Sequence, residues 1–158
     1  MHESPGSKTF DFRDKSTDTT SESTGKAASH LRQWPVQLHL ISPQAPYYQG
    51  ADVVLTADCV AYALGSYHAD YLKGKAIAIG CPKLDENQDE YVDKVASWCD
   101  DAKINTLHVL IMQVPCCRGL LQIAQDGVAK AKRKVPIKYS VVGLQGEILQ
   151  EEWLNAAV

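Results

Sequence analysis

The chain has no GxGxxG dinucleotide loop, no GxxxxGK[ST] phosphate loop, no HExxH metal helix and no cysteine pair spaced by two residues. Each absence removes a common route to a named chemistry. Ser42 stands outside any nucleophile elbow, so acyl transfer lacks its usual signature. No uninterrupted apolar run approaches membrane-spanning length, and the start, MHESPGSKTFDFRDK, lacks the apolar core of a signal peptide. The expectation is a cytoplasmic protein without a membrane anchor. An excess of positive charge is missing too. The formal net charge is -3, and the one basic cluster, Lys130, Lys132, Arg133 and Lys134, suits the end of a helix better than a nucleic-acid surface.

What is present fits one domain, since 158 residues can bury a single core and are too few for two. Residues 1–29 are rich in Ser, Thr, Asp, Lys and Gly with little to bury beyond Phe10 and Phe12, and read as a mobile tail. Residues 30–158 read as a single α/β domain. Strand patterns are expected at Val36–Ile41, Asp52–Thr56, Lys75–Gly80, Leu107–Val114 and Ile137–Leu144, with a short apolar segment at Ile148–Leu149. Helical periodicity runs over Gln88–Cys99 and from about Gly119 to Lys132, before Pro136 stops it. The run LHVLIMQV is apolar almost throughout, as a strand covered on both faces must be. Alternating strand and helix patterns predict a three-layer α/β sandwich with a mainly parallel, Rossmann-like sheet.

Four of the five cysteines follow expected strands: Cys59 in TADC, Cys81 in AIGCPK, and Cys116 with Cys117 in QVPCCRG. In a parallel sheet such ends share one rim, where open α/β folds bind their ligands. Cytosolic cysteines are more often ligands or redox groups than disulfides, and an odd count leaves one outside any pairing. Thiolates suit iron-sulfur clusters and zinc. The expectation is therefore one cysteine-ligated cluster, [4Fe-4S] in the simplest inventory, held by Cys59, Cys81, Cys116 and Cys117, with zinc as the alternative. Cys99 lies on the Trp98-containing helix and reads as packing. His68, Lys83 and Arg118 are candidates for supporting the thiolates. Asp58 and Asp85 suit caps of turns or helices, His39 and His108 suit faces of strands, and Tyr47, Tyr48, Tyr62 and Tyr67 suit packing, with the lining of an aromatic pocket as the alternative. No general base and nucleophile pair stands out, so catalytic residues stay unassigned.

From about His30 to Leu149 the chain resembles the C-terminal α/β region of ferredoxin-type 4Fe-4S proteins, through WPVQLHLISPQAPYYQGADVVLTADCVAYALGSYH, GKAIAIGCPKLD and VPCCRGL. A cysteine-rich ferredoxin module often precedes that region, but the N-terminal residues here contain no cysteine. The stretch from Cys81 to Cys116-Cys117 is more distantly similar to the cysteine-rich domains of heterodisulfide-reductase-like proteins, without their later CxxC. These resemblances imply an iron-sulfur protein in electron transport, working with a redox protein or a small redox cofactor. The alternatives are a structural zinc or metal-handling module and an iron-sulfur enzyme with an open ligand position. Self-association into a homo-oligomer is open.

Overall fold

The computed structural model describes residues 6–13 and 26–154. Two short strands come first: β1 (Phe10–Asp11), inside the expected tail, pairs antiparallel with β2 (Gln33–Trp34). The main sheet is built from β3 (Asp52–Ala57), β4 (Ala76–Gly80), β5 (Thr106–Met112), β6 (Ile137–Val142) and β7 (Ile148–Trp153). Its order is β4-β3-β5-β6-β7, with β4 through β6 parallel and β7 antiparallel at the edge. A mainly parallel, Rossmann-like sheet is what alternating strand and helix patterns require.

Leu107, Val109, Leu110, Ile111 and Met112 of β5 are all buried, as expected for a central strand with both faces covered. On one face α2 (Asp89–Asp100) packs against α3 (Arg118–Lys130). Gly127 makes that approach possible, because a Cβ there would run into the side chain of Val95. The other face is covered by short pieces, α1 (Val60–Ala63) and a π-helical turn at His68–Leu72. Tyr71 of that turn lies over His108, with ring centroids 5.5 Å apart. Helices or turns on both faces complete the three layers.

A polar network ties the second face together across β5, β6 and β7. Ser140 Oγ donates to Glu151 Oε2 at 2.7 Å, while His108 Nε2 lies 2.7 Å from the same hydroxyl. The serine's one proton is spent on the carboxylate, so the facing imidazole nitrogen carries the hydrogen of its own bond. Tyr71 donates to Glu151 at 3.1 Å and Lys138 pairs with it at 3.1 Å. Ser140 is fully buried, which suits a structural strut and not a nucleophile.

The expected strand at Val36–Ile41 does not form. Gln37 makes an isolated parallel bridge with Ile79, and the amides of Leu40 and Ile41 turn back to the Gln37 carbonyl. The cause is tertiary. Lys94 of α2 donates to the carbonyls of Leu38, His39 and Ile41 at 2.7, 3.0 and 2.9 Å, which holds the segment as a turn with Leu38 in the core. The outer edge of β4 is satisfied in part by a side chain: Gln33 accepts from the Ile77 amide and donates to the Ile77 carbonyl, both at 2.8 Å. That edge is thereby closed to further strand pairing.

Candidate functional site

The strand order places a topological switch point at the carboxyl ends of β3 and β5. From β3 the chain turns to one side to form β4, and from β5 it proceeds to the other side to form β6. With right-handed crossovers, the segments leaving β3 and β5 pass over opposite faces and separate at the rim. Such a switch point is where open α/β sheets admit a ligand.

Asp58 and Cys59 follow β3 at this rim. The Asp58 amide donates to the Gly80 carbonyl at 3.1 Å, fixing the loop to the end of β4. Its Oδ1 is shut off from solvent with no hydrogen-bond partner. Burial, followed by the nearby Asp85 charge, pushes the Asp58 carboxyl above the usual carboxylate range. Asp85 is moved the other way. Burial works upward on it, but donation from the Tyr91 hydroxyl, the Cys81 amide at 2.9 Å and Gln37 Nε2 at 3.2 Å outweighs burial and holds its carboxyl low. Two carboxyls of one rim are thus driven apart, Asp58 toward the acid and Asp85 toward the anion.

Beyond β5, Pro115–Cys117 forms a single 3-10 turn that runs straight into α3. Pro115 suits the first position of such a turn because its missing N–H would be an orphan there. Gly119 brings the start of α3 against the loop after β4, since a Cβ at Gly119 would lie 2.9 Å from that of Pro82. Three strand-end loops therefore meet on one rim, the arrangement expected from the parallel topology.

The sulfurs do not form a metal site. Cys59 and Cys116 are exposed, Cys81 is half-buried, and Cys117 turns into the core. Burial pushes the Cys117 thiol up, a backbone hydrogen bond at Met112 opposes that shift, and Cys116 and then Cys59 add to it. Among the described residues no group of three or more His, Cys, Asp or Glu side chains is placed to hold a metal ion. This overturns the expected iron-sulfur cluster, [4Fe-4S] or other, at Cys59, Cys81, Cys116 and Cys117. It overturns the zinc alternative, the electron-transport role built on a cluster, and the likeness to ferredoxin-type 4Fe-4S and heterodisulfide-reductase-like proteins. The physical reason is direction: a common edge aligns backbones, whereas successive residues such as Cys116 and Cys117 project differently, one to solvent and one inward.

The three expected supporting residues are dispersed. His68 is exposed in the π-helical turn, where its Nδ1 accepts the His30 amide at 3.1 Å. Lys83 is exposed in the loop after Cys81. Arg118, the first residue of α3, lines a cavity of about 460 Å³ with Tyr139, Val141 and Gln150. Cys99 is fully buried in α2, as expected from its helix position.

Other hollows lie away from the rim. A cavity of about 210 Å³ at the amino ends of β3 and β4 is lined by Arg32, Gln49 and Lys75 among others. Another of about 520 Å³ runs beside α3 along Val128, Val135 and Leu154. No helix among the described residues is long and apolar enough to cross a membrane.

Sequence comparison agrees with this architecture. A protein of Archaeoglobus fulgidus described as uncharacterized is 29% identical over 119 residues, covering 75% of this chain and 82% of that protein. No solved structure matches the chain. A family model described as a Rossmann-like domain matches residues 45–157, the span that holds the whole main sheet and its switch point. The chain belongs to that Rossmann-like domain family.

Proposed function

We propose that the domain binds a small polar molecule at the carboxyl rim, in the crevice between the ends of β3 and β5, in a cytoplasmic setting. One observation carries this reading: the Asp58 Oδ1 atom, buried and without a partner beside the switch point. A buried polar atom left unpaired costs about 1–3 kcal/mol, so a hydrogen-bonding guest at this place would recover energy that the free protein forgoes. Asp58 Oδ1 is an acceptor without a donor, in a carboxyl that burial and the nearby Asp85 charge push upward, which favours an N–H or O–H edge of an amide, hydroxyl or heterocycle over a second carboxylate. The ionised Asp85, held by three donors, keeps the loop after β4 in place.

Titration of the isotopically labelled protein with adenosine, NAD and single amino acids, followed by amide NMR, tests the proposal. The expected result is that at least one compound shifts the amides of residues 57–60 and 116–120 together. Shifts confined to the amino-end cavity around Arg32, Gln49 and Lys75 would overturn it, as would the absence of binding by every compound.

A further inference from the structure

Three thiols from two loops border the switch point, and they differ in access. Cys59, preceding α1, and Cys116, on the 3-10 turn after β5, are exposed, whereas Cys117 is buried. Cys59 and Cys116 both act electrostatically on the Cys117 thiol, which places the three in one neighbourhood. Cys99 is enclosed in α2, and Cys81 follows β4, the strand on the far side of β3 from β5.

The adjacent pair is poorly suited to bond with itself. Consecutive Cα atoms are about 3.8 Å apart across a trans peptide, below the roughly 4.4–6.8 Å usual for a disulfide. Strands β3 and β5 are hydrogen-bonded neighbours, and such strands run about 4.8 Å apart. The loops that leave Ala57 and Met112 and carry Cys59 and Cys116 therefore start side by side at one edge.

We propose that Cys116 and Cys59 form a peroxide-sensitive pair whose disulfide joins the β3 and β5 loops across the switch point. The Cys116 thiolate attacks one oxygen of hydrogen peroxide. The O–O bond breaks, Cys116 becomes a sulfenic acid, and hydroxide leaves, to be protonated to water. The Cys59 thiolate then attacks the Cys116 sulfur, an S–S bond forms, and the sulfenic oxygen leaves as a second water after taking up a proton. In sum, two electrons and two protons pass from the two thiols to one peroxide, giving two waters and one disulfide. Of the adjacent pair, Cys116 takes part because it is exposed, while Cys117 is enclosed and its thiol is pushed up by burial. A bond across the rim would close the crevice to its ligand. That regulatory consequence rests on the proposed binding role, whereas the thiol chemistry does not.

The experiment treats the full chain with hydrogen peroxide, blocks remaining thiols with iodoacetamide, and maps tryptic peptides. Cleavage at Arg32, Lys73, Lys103 and Arg118 puts Cys59 in peptide 33–73 and the Cys116-Cys117 pair in 104–118, with Cys81 and Cys99 on others. The expected product is a monomer in which 33–73 is linked to 104–118, lost on reduction by dithiothreitol. Cys59→Ser should abolish the link and leave a sulfenic acid at Cys116 that dimedone traps, and Cys99→Ser should change nothing. Cys59→Ala serves the same purpose if the serine variant fails to fold. A link only between protein copies, oxidation centred on Cys81 or Cys99, or an unchanged product in both Cys59 variants would overturn the proposal. Formation of the link in a protein that binds none of the titrated compounds would retain the thiol pair and remove the binding role, so the two fail separately.

Discussion

Gly119 at the start of α3 meets Pro82 in the loop after β4 so closely that a Cβ on Gly119 would sit 2.9 Å from the Pro82 Cβ. That distance is shorter than ordinary carbon contacts permit, and the atom met belongs to a rigid ring. Gly119→Ala is therefore expected to push the Cys81–Pro82 loop outward and to lower stability by about 1–3 kcal/mol, the usual range for overpacking. Urea unfolding measures the loss, and alkylation of the half-buried Cys81 should quicken in the same variant. Unchanged stability with unchanged Cys81 reactivity would show that the contact does not hold the rim.

A second expectation concerns acid. Burial, aided by Lys138, pushes the His108 imidazole down to about 4, although Glu151 works the other way. In the unfolded chain His108 takes a proton near pH 6.5. The folded state binds that proton less readily, so its contribution is fully present above about 6.5 and is lost as pH falls from there toward 4. At about 1.36 kcal/mol per pKa unit, the loss is on the order of 3 kcal/mol at most, reduced by the ring's partial exposure. His108→Gln should flatten the stability curve through this window. A slope equal to that of the parent protein would place the acid sensitivity elsewhere.

The thiols should separate into classes. Iodoacetamide in native buffer is expected to label the exposed Cys59 and Cys116 first and the half-buried Cys81 next. Cys117 should lag because it is enclosed, and Cys99 should lag furthest, its thiol pushed up to about 11 by burial and the adjacent Asp100. Timed quenching and peptide mass spectrometry read the order. Early labelling of Cys99 would contradict the packing of α2.

Much of the architecture was legible because it follows from periodicity. The apolar run at Leu107–Val114 required a covered central strand, which forms as Thr106–Met112, and the spacing of Tyr91, Val95 and Trp98 required a helix against the core, where all three are buried. The run at Val36–Ile41 misled because Lys94, distant in sequence, spends its ammonium on three of that segment's neighbouring carbonyls. β7 extends to Trp153, beyond the expected Ile148–Leu149, because its pairing with β6 continues through Glu151 and Glu152 regardless of their charge. The network at Ser140 was hidden for a related reason: His108, Ser140 and Glu151 belong to three strands, and only their register brings them together.

The rim was half legible. Strand ends on parallel strands gave the shared edge of Cys59, Cys81, Cys116 and Cys117, but the direction of each side chain depends on the turns that follow. Asp58 passed as a turn cap because a carboxylate after a strand is ordinary. Its significance comes from an enclosed Oδ1 and from Asp85, which takes the donors from Tyr91, Cys81 and Gln37.

Protection of Cys59 and Cys116 by a bound compound tests the central claim most directly. Iodoacetamide labelling of both residues, followed by peptide mass spectrometry, would be compared in the free protein and in protein saturated with a compound found by NMR titration. Occupation of the crevice between β3 and β5 predicts that labelling of Cys59 and Cys116 slows together, by a factor that saturates with the binding isotherm. Full reactivity of both thiols at saturating compound would contradict a ligand site at the carboxyl rim.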